Sequence, residues 1–115
     1  MQHEMSLRPG PFGWIASGKK RYELRLHDEK RAAICIGDLI RFTCTADGRQ
    51  LLTRVTGLHP YPDFAALYAA LPLTECGYTE ENVARADPKD MEAYYPPEQQ
   101  AKYGVLAIRI ELVGP

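Results

Sequence analysis

The residues best suited to chemistry stand close together: Gly18, Lys20, Arg21, Glu23 and Arg25. Arg21, Glu23 and Arg25 alternate with Tyr22, Leu24 and Leu26. An extended chain therefore puts the charged groups on one face and the apolar groups on the other, which predicts a strand with one buried face. Same-side strand residues two apart lie within about 7 Å, so Glu23 sits between two guanidinium groups. That setting favours the carboxylate and lowers its pKa unless burial opposes it. Arg25 is placed to orient Glu23, leaving Lys20 or Arg21 to meet an anion. A desolvated Lys20 beside Lys19 and Arg21 would serve as a base or nucleophile. Tight pairing with Glu23 would instead keep it a charged donor for a phosphate or a carbonyl. Mixed charge solvated on an outer strand face is the competing account of the same residues.

The elements that must position these groups follow from pattern. Pro9 and Pro11 before, and Gly18 after, bound a short helix over about 11 to 17 that feeds a strand from Lys20 to Leu26. His3 to Leu7 predicts an edge strand. Leu39 to Thr45 and Gln50 to Leu58 alternate on either side of Asp47-Gly48, a hairpin signal. His27 to Arg31 reads as a charged connection. Asp63 caps a helix whose apolar stripe (Phe64, Leu67, Tyr68, Leu71) ends at Pro72. Thr79 predicts a weaker helix near Glu80 to Arg85. Asp87-Pro88 opens another that reaches Tyr94 and Tyr95 before Pro96-Pro97 breaks it, and Gln99 to Tyr103 adds a turn. Val105 to Val113 closes the chain as a strand with Leu106, Ile108, Ile110 and Leu112 on one face. Strands around a helical insert predict one α+β domain over residues 1–115, a small mixed or antiparallel β-barrel with helices packed at its rim.

Composition narrows the function classes. A chain of 115 residues, 45% apolar and 25% charged, is one soluble globular domain. No apolar run approaches the roughly 20 residues of a membrane span and no signal-peptide core opens the chain, so a cytoplasmic protein without a membrane partner is expected. Cys35, Cys44 and Cys76 form no CxxC pair, which argues against a disulfide framework and a structural zinc. Cys35 and Cys44 read as core residues, and Cys76 as a loop residue. His3, His27 and His59 lack metal-ligand spacing, and there is no P-loop or GxGxxG, so neither metal nor cofactor is expected. The net charge of -1 hides an asymmetry: residues 1–54 carry ten Lys/Arg against six Asp/Glu, and residues 55–115 four against nine. That balance argues against a coat for long duplex DNA and leaves room for a basic face sized for a few phosphates or one small ligand.

The spacing Gly18-x-Lys20-x-x-Glu23-x-Arg25 resembles the GxKxxExR signature of the ASCH domain family, small β-barrels of the PUA-like superfamily. The run from Ile36 through Gly37-Asp38 to Phe42 is similar to the turn and strand that follow in that family. Tyr103 to Ile110 resembles its last strand, and the likeness spans about His3 to Leu112. The resemblance implies a cleft beside the barrel, lined by the signature strand and the preceding helix, in which members bind RNA or nucleotide-like ligands. Single-stranded RNA or a nucleotide-like small molecule is then the expected partner, with Lys20, Arg21, Glu23, Arg25 and Trp14 as binding residues. Trp14 is the first candidate for stacking a base, with Tyr61, Tyr78, Tyr94, Tyr95 and Tyr103 behind it. Some small members are hydrolases, either ribonucleases or amidohydrolases of N4-acetylated cytidine, which implies an alternative in the same cleft. Lys20 would then be base or nucleophile, Glu23 its orienting partner and Glu75 a second acidic residue, with His27 a proton carrier at the cleft edge. The amidohydrolase pattern has threonine where Glu23 stands here. A third reading is a protein-interaction module using the acidic segment from Glu75 to Glu92.

Overall fold

A computed structural model describes residues 1–113. Its strands are β1 (Gln2–Leu7), β2 (Tyr22–Leu26), β3 (Leu39–Cys44), β4 (Gln50–Tyr61) and β5 (Val105–Leu112). Its α-helices are α1 (Pro9–Ala16), α2 (Glu29–Ala32), α3 (Phe64–Ala70) and α4 (Pro97–Tyr103). The strands form one five-stranded sheet in the order β1-β3-β4-β5-β2. β1 runs parallel to β3 and the other pairs are antiparallel, so the sheet is mixed. It curls into a half-barrel with helices at its rim, the expected α+β arrangement. β1 and β2 are its edges, and the Arg25 Nη2 bonds the Ser6 carbonyl across them at 3.0 Å.

Both faces of the sheet are covered, and this decides where the charges go. One core holds Met5, Leu7, Phe12, Ile15, Ile40, Phe42, Leu106 and Ile108 in the concavity under α1. The other holds Tyr22, Leu24, Leu26, Phe64, Leu67, Val105 and Ala107 beneath α3. Directly paired residues share a face, so the pairings Glu23 with Ile108 and Arg25 with Leu106 turn both charges toward the barrel interior. The expected outer, solvated face of β2 is thus an inner one. The apolar stripe on β2 faces the helical insert instead.

The insert is less helical than its pattern suggests. Residues Val83–Arg85 and Pro88–Ala93 are 3₁₀ turns, because they offer no apolar stripe that would bury a longer α-helix. The segment opened by Pro88 ends before Pro96-Pro97, as expected, and Pro97 also starts α4, at a position where its missing N–H costs nothing. The charged connection contains α2, capped by Asp28, whose side chain accepts from the Arg31 N–H at 3.1 Å. Cys44 is buried as expected, but Cys35 is exposed and Cys76 is buried. Leu112 is 44% exposed, since β5 outruns the core there. Among the described residues, no helix is long and apolar enough to cross a membrane.

Candidate functional site

The end of α1 builds the site. Gly18 adopts φ +80°, which only glycine takes without strain, and reverses the chain into β2. The Trp14 carbonyl accepts from the N–H groups of Lys19 at 3.0 Å and Lys20 at 3.1 Å, fixing both residues against the Trp14 turn. On the other side, the Arg21 N–H donates to the Glu75 carbonyl at 2.8 Å and ties the Leu73–Glu75 turn to the start of β2. Between these tethers opens a cavity of about 700 Å³. Trp14, Lys20 and Arg21 line one wall, and Glu75, Tyr78 and Thr79 the other.

Two cationic side chains meet at one carboxylate behind this wall. Lys20 Nζ donates to Glu23 Oε1 at 2.8 Å. Arg25 donates to the other oxygen, Oε2, from Nε at 2.9 Å and lies 2.7 Å away through Nη2. Glu23 is 3% exposed, so burial works against its charge. The Lys20 and Arg25 charges and their hydrogen bonds outweigh that cost and hold the carboxyl below its usual 4.5. Burial likewise opposes the Arg25 charge, but the Glu23 carboxylate and Tyr95 beside it raise the guanidinium pKa further. Glu23 thus divides two cations: Lys20 reaches the cavity, whereas Arg25 turns away to the β1 edge.

The predicted site residues fall into two groups. Trp14, Lys20, Arg21 and Glu75 line the cavity, and Tyr78 joins them. Glu23 and Arg25 stand outside its lining, and so does His27, whose N–H bonds the Gly104 carbonyl at 3.0 Å. Tyr61 and Tyr95 pack on the second core, and Tyr94 and Tyr103 lie at the surface under Arg8 and Lys102. Tyr78 is held from behind: its hydroxyl donates to Asp90 Oδ2 at 2.7 Å and shares a 2.8 Å hydrogen bond with Tyr68. Burial and these two partners raise its pKa, so the phenol stays neutral. Sequence reasoning grouped Tyr78 with four other tyrosines because the tether from Arg21 to Glu75 has no local signal. Gly77, at φ +121°, carries the chain past both walls: a Cβ there would stand 3.8 Å from the Trp14 ring and 3.9 Å from the Lys20 stem. Burial pushes the neighbouring Cys76 thiol up to about 12 although Lys20 pulls the other way, which leaves it a poor nucleophile.

A curled, mixed five-stranded half-barrel with helices on its rim defines a PUA-like α+β domain. A sequence model of the ASCH domain matches residues 5–114, and the chain belongs to the ASCH domain family. The chain is similar to the hypothetical protein PH0355 in its crystal structure, with 35% identity and a TM-score of 0.81, over 98% of this chain and all of that one (100%). It is also similar to protein PF0455 from Pyrococcus furiosus, known from a solution NMR structure, with 31% identity and a TM-score of 0.76, each chain covered over 100% of its length. The ASCH protein of Zymomonas mobilis shares the fold at 16% identity and a TM-score of 0.66, over 96% of this chain and 66% of that one. No curated protein matches the chain.

Proposed function

We propose that the cavity binds a nucleotide or the exposed base of single-stranded RNA. The observation that carries this reading is its wall: an indole, a phenol and a buried lysine around about 700 Å³. That volume falls in the range of small-molecule sites. An indole face supports a base by stacking, which is how unpaired RNA is generally held. Lys20 donates one of its three N–H bonds to Glu23 and keeps the others for a ligand acceptor. Glu23 and Arg25 serve the site from behind as positioning residues. Thr74 and Thr79, also in the lining, add hydroxyl groups for base edges.

A second reading, hydrolysis in the same cavity, is favoured by the presence of Lys20 and Glu75 in one lining. It would act on RNA or on an acylated base such as N4-acetylcytidine. Turnover of either substrate by purified protein, lost in Lys20→Met and Glu75→Gln, would establish it.

Calorimetric titration with nucleoside monophosphates and a short oligoribonucleotide tests the binding reading. Trp14→Ala removes one stacking surface without touching the buried ion pair. It should weaken binding by about ten- to a hundredfold, the usual worth of one stacked base. Unchanged affinity in this variant would place the ligand elsewhere.

A further inference from the structure

The two sides of the main cavity carry opposite charges that do not neutralise one another. Lys19, Lys20 and Arg21 stand on one side, Glu75 and Glu80 on the other, and among the described residues no ion pair joins them. Lys20 is already matched by the Glu23 carboxylate 2.8 Å away, so it donates hydrogen bonds without adding net charge to the cavity. Lys19 and Arg21 are exposed, where water and salt screen them. Glu75 is half-buried, and its carboxylate makes no hydrogen bond or ion pair among the described residues. Arg109 feels it only at longer range, with its guanidinium tied to the Tyr22 hydroxyl at 2.9 Å. A carboxylate accepts hydrogen bonds and donates none, so Glu75 calls for a donor or a positive charge on the ligand.

The aromatic surfaces favour the same sign. The Tyr78 hydroxyl donates to Asp90 Oδ2 at 2.7 Å, which polarises the phenol and enriches its ring in electron density. The face of such a ring attracts cations, and an indole face such as that of Trp14 attracts them most strongly. A neutral base seated here gains stacking alone. A base whose ring is positive gains stacking together with the pull of the indole, the phenol and Glu75. Its phosphate stays anionic and meets Lys20 or the exposed Lys19 and Arg21.

We propose that the cavity selects nucleotides whose base carries a positive charge over their neutral counterparts, with Glu75 setting that preference. The inference rests on the binding reading above and deepens it, by fixing the charge of the base. N-alkylated RNA bases and pyridinium nucleotides share this chemistry.

The test is calorimetric titration of matched monophosphates at neutral pH. N3-methylcytidine is compared with cytidine, and N7-methylguanosine with guanosine. C5-methylcytidine adds the same methyl group without the charge, and nicotinamide mononucleotide supplies the pyridinium. Each charged base should bind roughly tenfold tighter than its neutral parent, the worth of a desolvated cation over aromatic faces. C5-methylcytidine should bind as cytidine does. Glu75→Gln keeps the backbone carbonyl that holds Arg21 and should lower the ratio of charged to neutral affinity by about threefold. Glu80→Gln, at an exposed position, should lower the same ratio to a smaller degree and serves if Glu75→Gln does not fold. Tighter binding of the methylated bases alone assigns the charge to RNA, and of nicotinamide mononucleotide alone to a pyridinium ligand; either supports the proposal. Equal affinity for charged and neutral members, with binding still weakened in Trp14→Ala, overturns the charge preference and spares the cavity reading. An equal gain from C5-methylcytidine, or a ratio unaltered in both carboxylate variants, also overturns it. No binding of any of these nucleotides overturns the preference together with the cavity reading.

Discussion

Glu23 is the residue on which the site's wall depends, because each of its oxygens holds one buried or half-buried cation. Glu23→Gln keeps the shape but strands Lys20 and Arg25 without a counter-charge. Breaking such a pair costs about 3–5 kcal/mol, which urea denaturation at neutral pH would show. The pH dependence follows from the direction of the shift. The folded pKa of Glu23 lies below its unfolded value of 4.5, so its contribution is complete above that pH and is lost as pH falls through the folded value. Asp38 acts in the same direction. Its hydrogen bond to His3, followed by the Cys35 N–H and the amino terminus, lowers it to about 2. The protein should therefore lose stability steadily below about pH 4.5, and Glu23→Gln should flatten the upper part of that limb. An acid limb identical in wild type and variant would contradict the ion pair. The identity of these three residues was legible from spacing alone. Their burial was not, because alternation shows that a strand has two faces without saying which one enters the barrel.

At the scale of elements, the helix, two turns and two strand ends that form the site are joined by few bonds, so each can be tested singly. Arg25 bridges the edges of the half-barrel through the Ser6 carbonyl while it pairs with Glu23. Arg25→Lys keeps the charge but cannot make both contacts with a guanidinium's fork geometry. It should cost about 1–3 kcal/mol and hasten amide exchange in β1, with the cavity wall intact. Exchange in β1 that matches wild type would show that the edges are held by other means. Gly77→Ala tests the opposite wall. The added methyl has room, but φ +121° penalises any side chain, so a loss of about 1–3 kcal/mol and a shifted Tyr78 are expected. A variant as stable as wild type would remove the need for glycine there. All five strands and the helix at Phe64 were readable from period, flanking turns and capping, since their cores repeat those patterns locally. The wall from Thr74 to Glu80 was not, because the 2.8 Å bond from Arg21 to Glu75 joins residues far apart in sequence.

For the whole molecule, the charge asymmetry acquires a location. The basic first half supplies Lys19, Lys20 and Arg21 at the cavity, and the acidic second half supplies Glu75 and Glu80 across from them. Such a site suits a ligand with a polar base and one or two phosphates better than a long polyanion, in keeping with a net charge of -1. Under the proposed reading, arginine and lysine there would steer the ligand, and the opposing carboxylates would limit how much nonspecific nucleic acid the protein holds. Trp14 is the sole tryptophan of the chain, so its emission reports on the cavity without any label. Titration with a short single-stranded oligoribonucleotide should quench that emission along the same saturation curve that calorimetry gives. Binding by calorimetry with the Trp14 emission unmoved, or no binding by either method, would contradict a base seated against the indole.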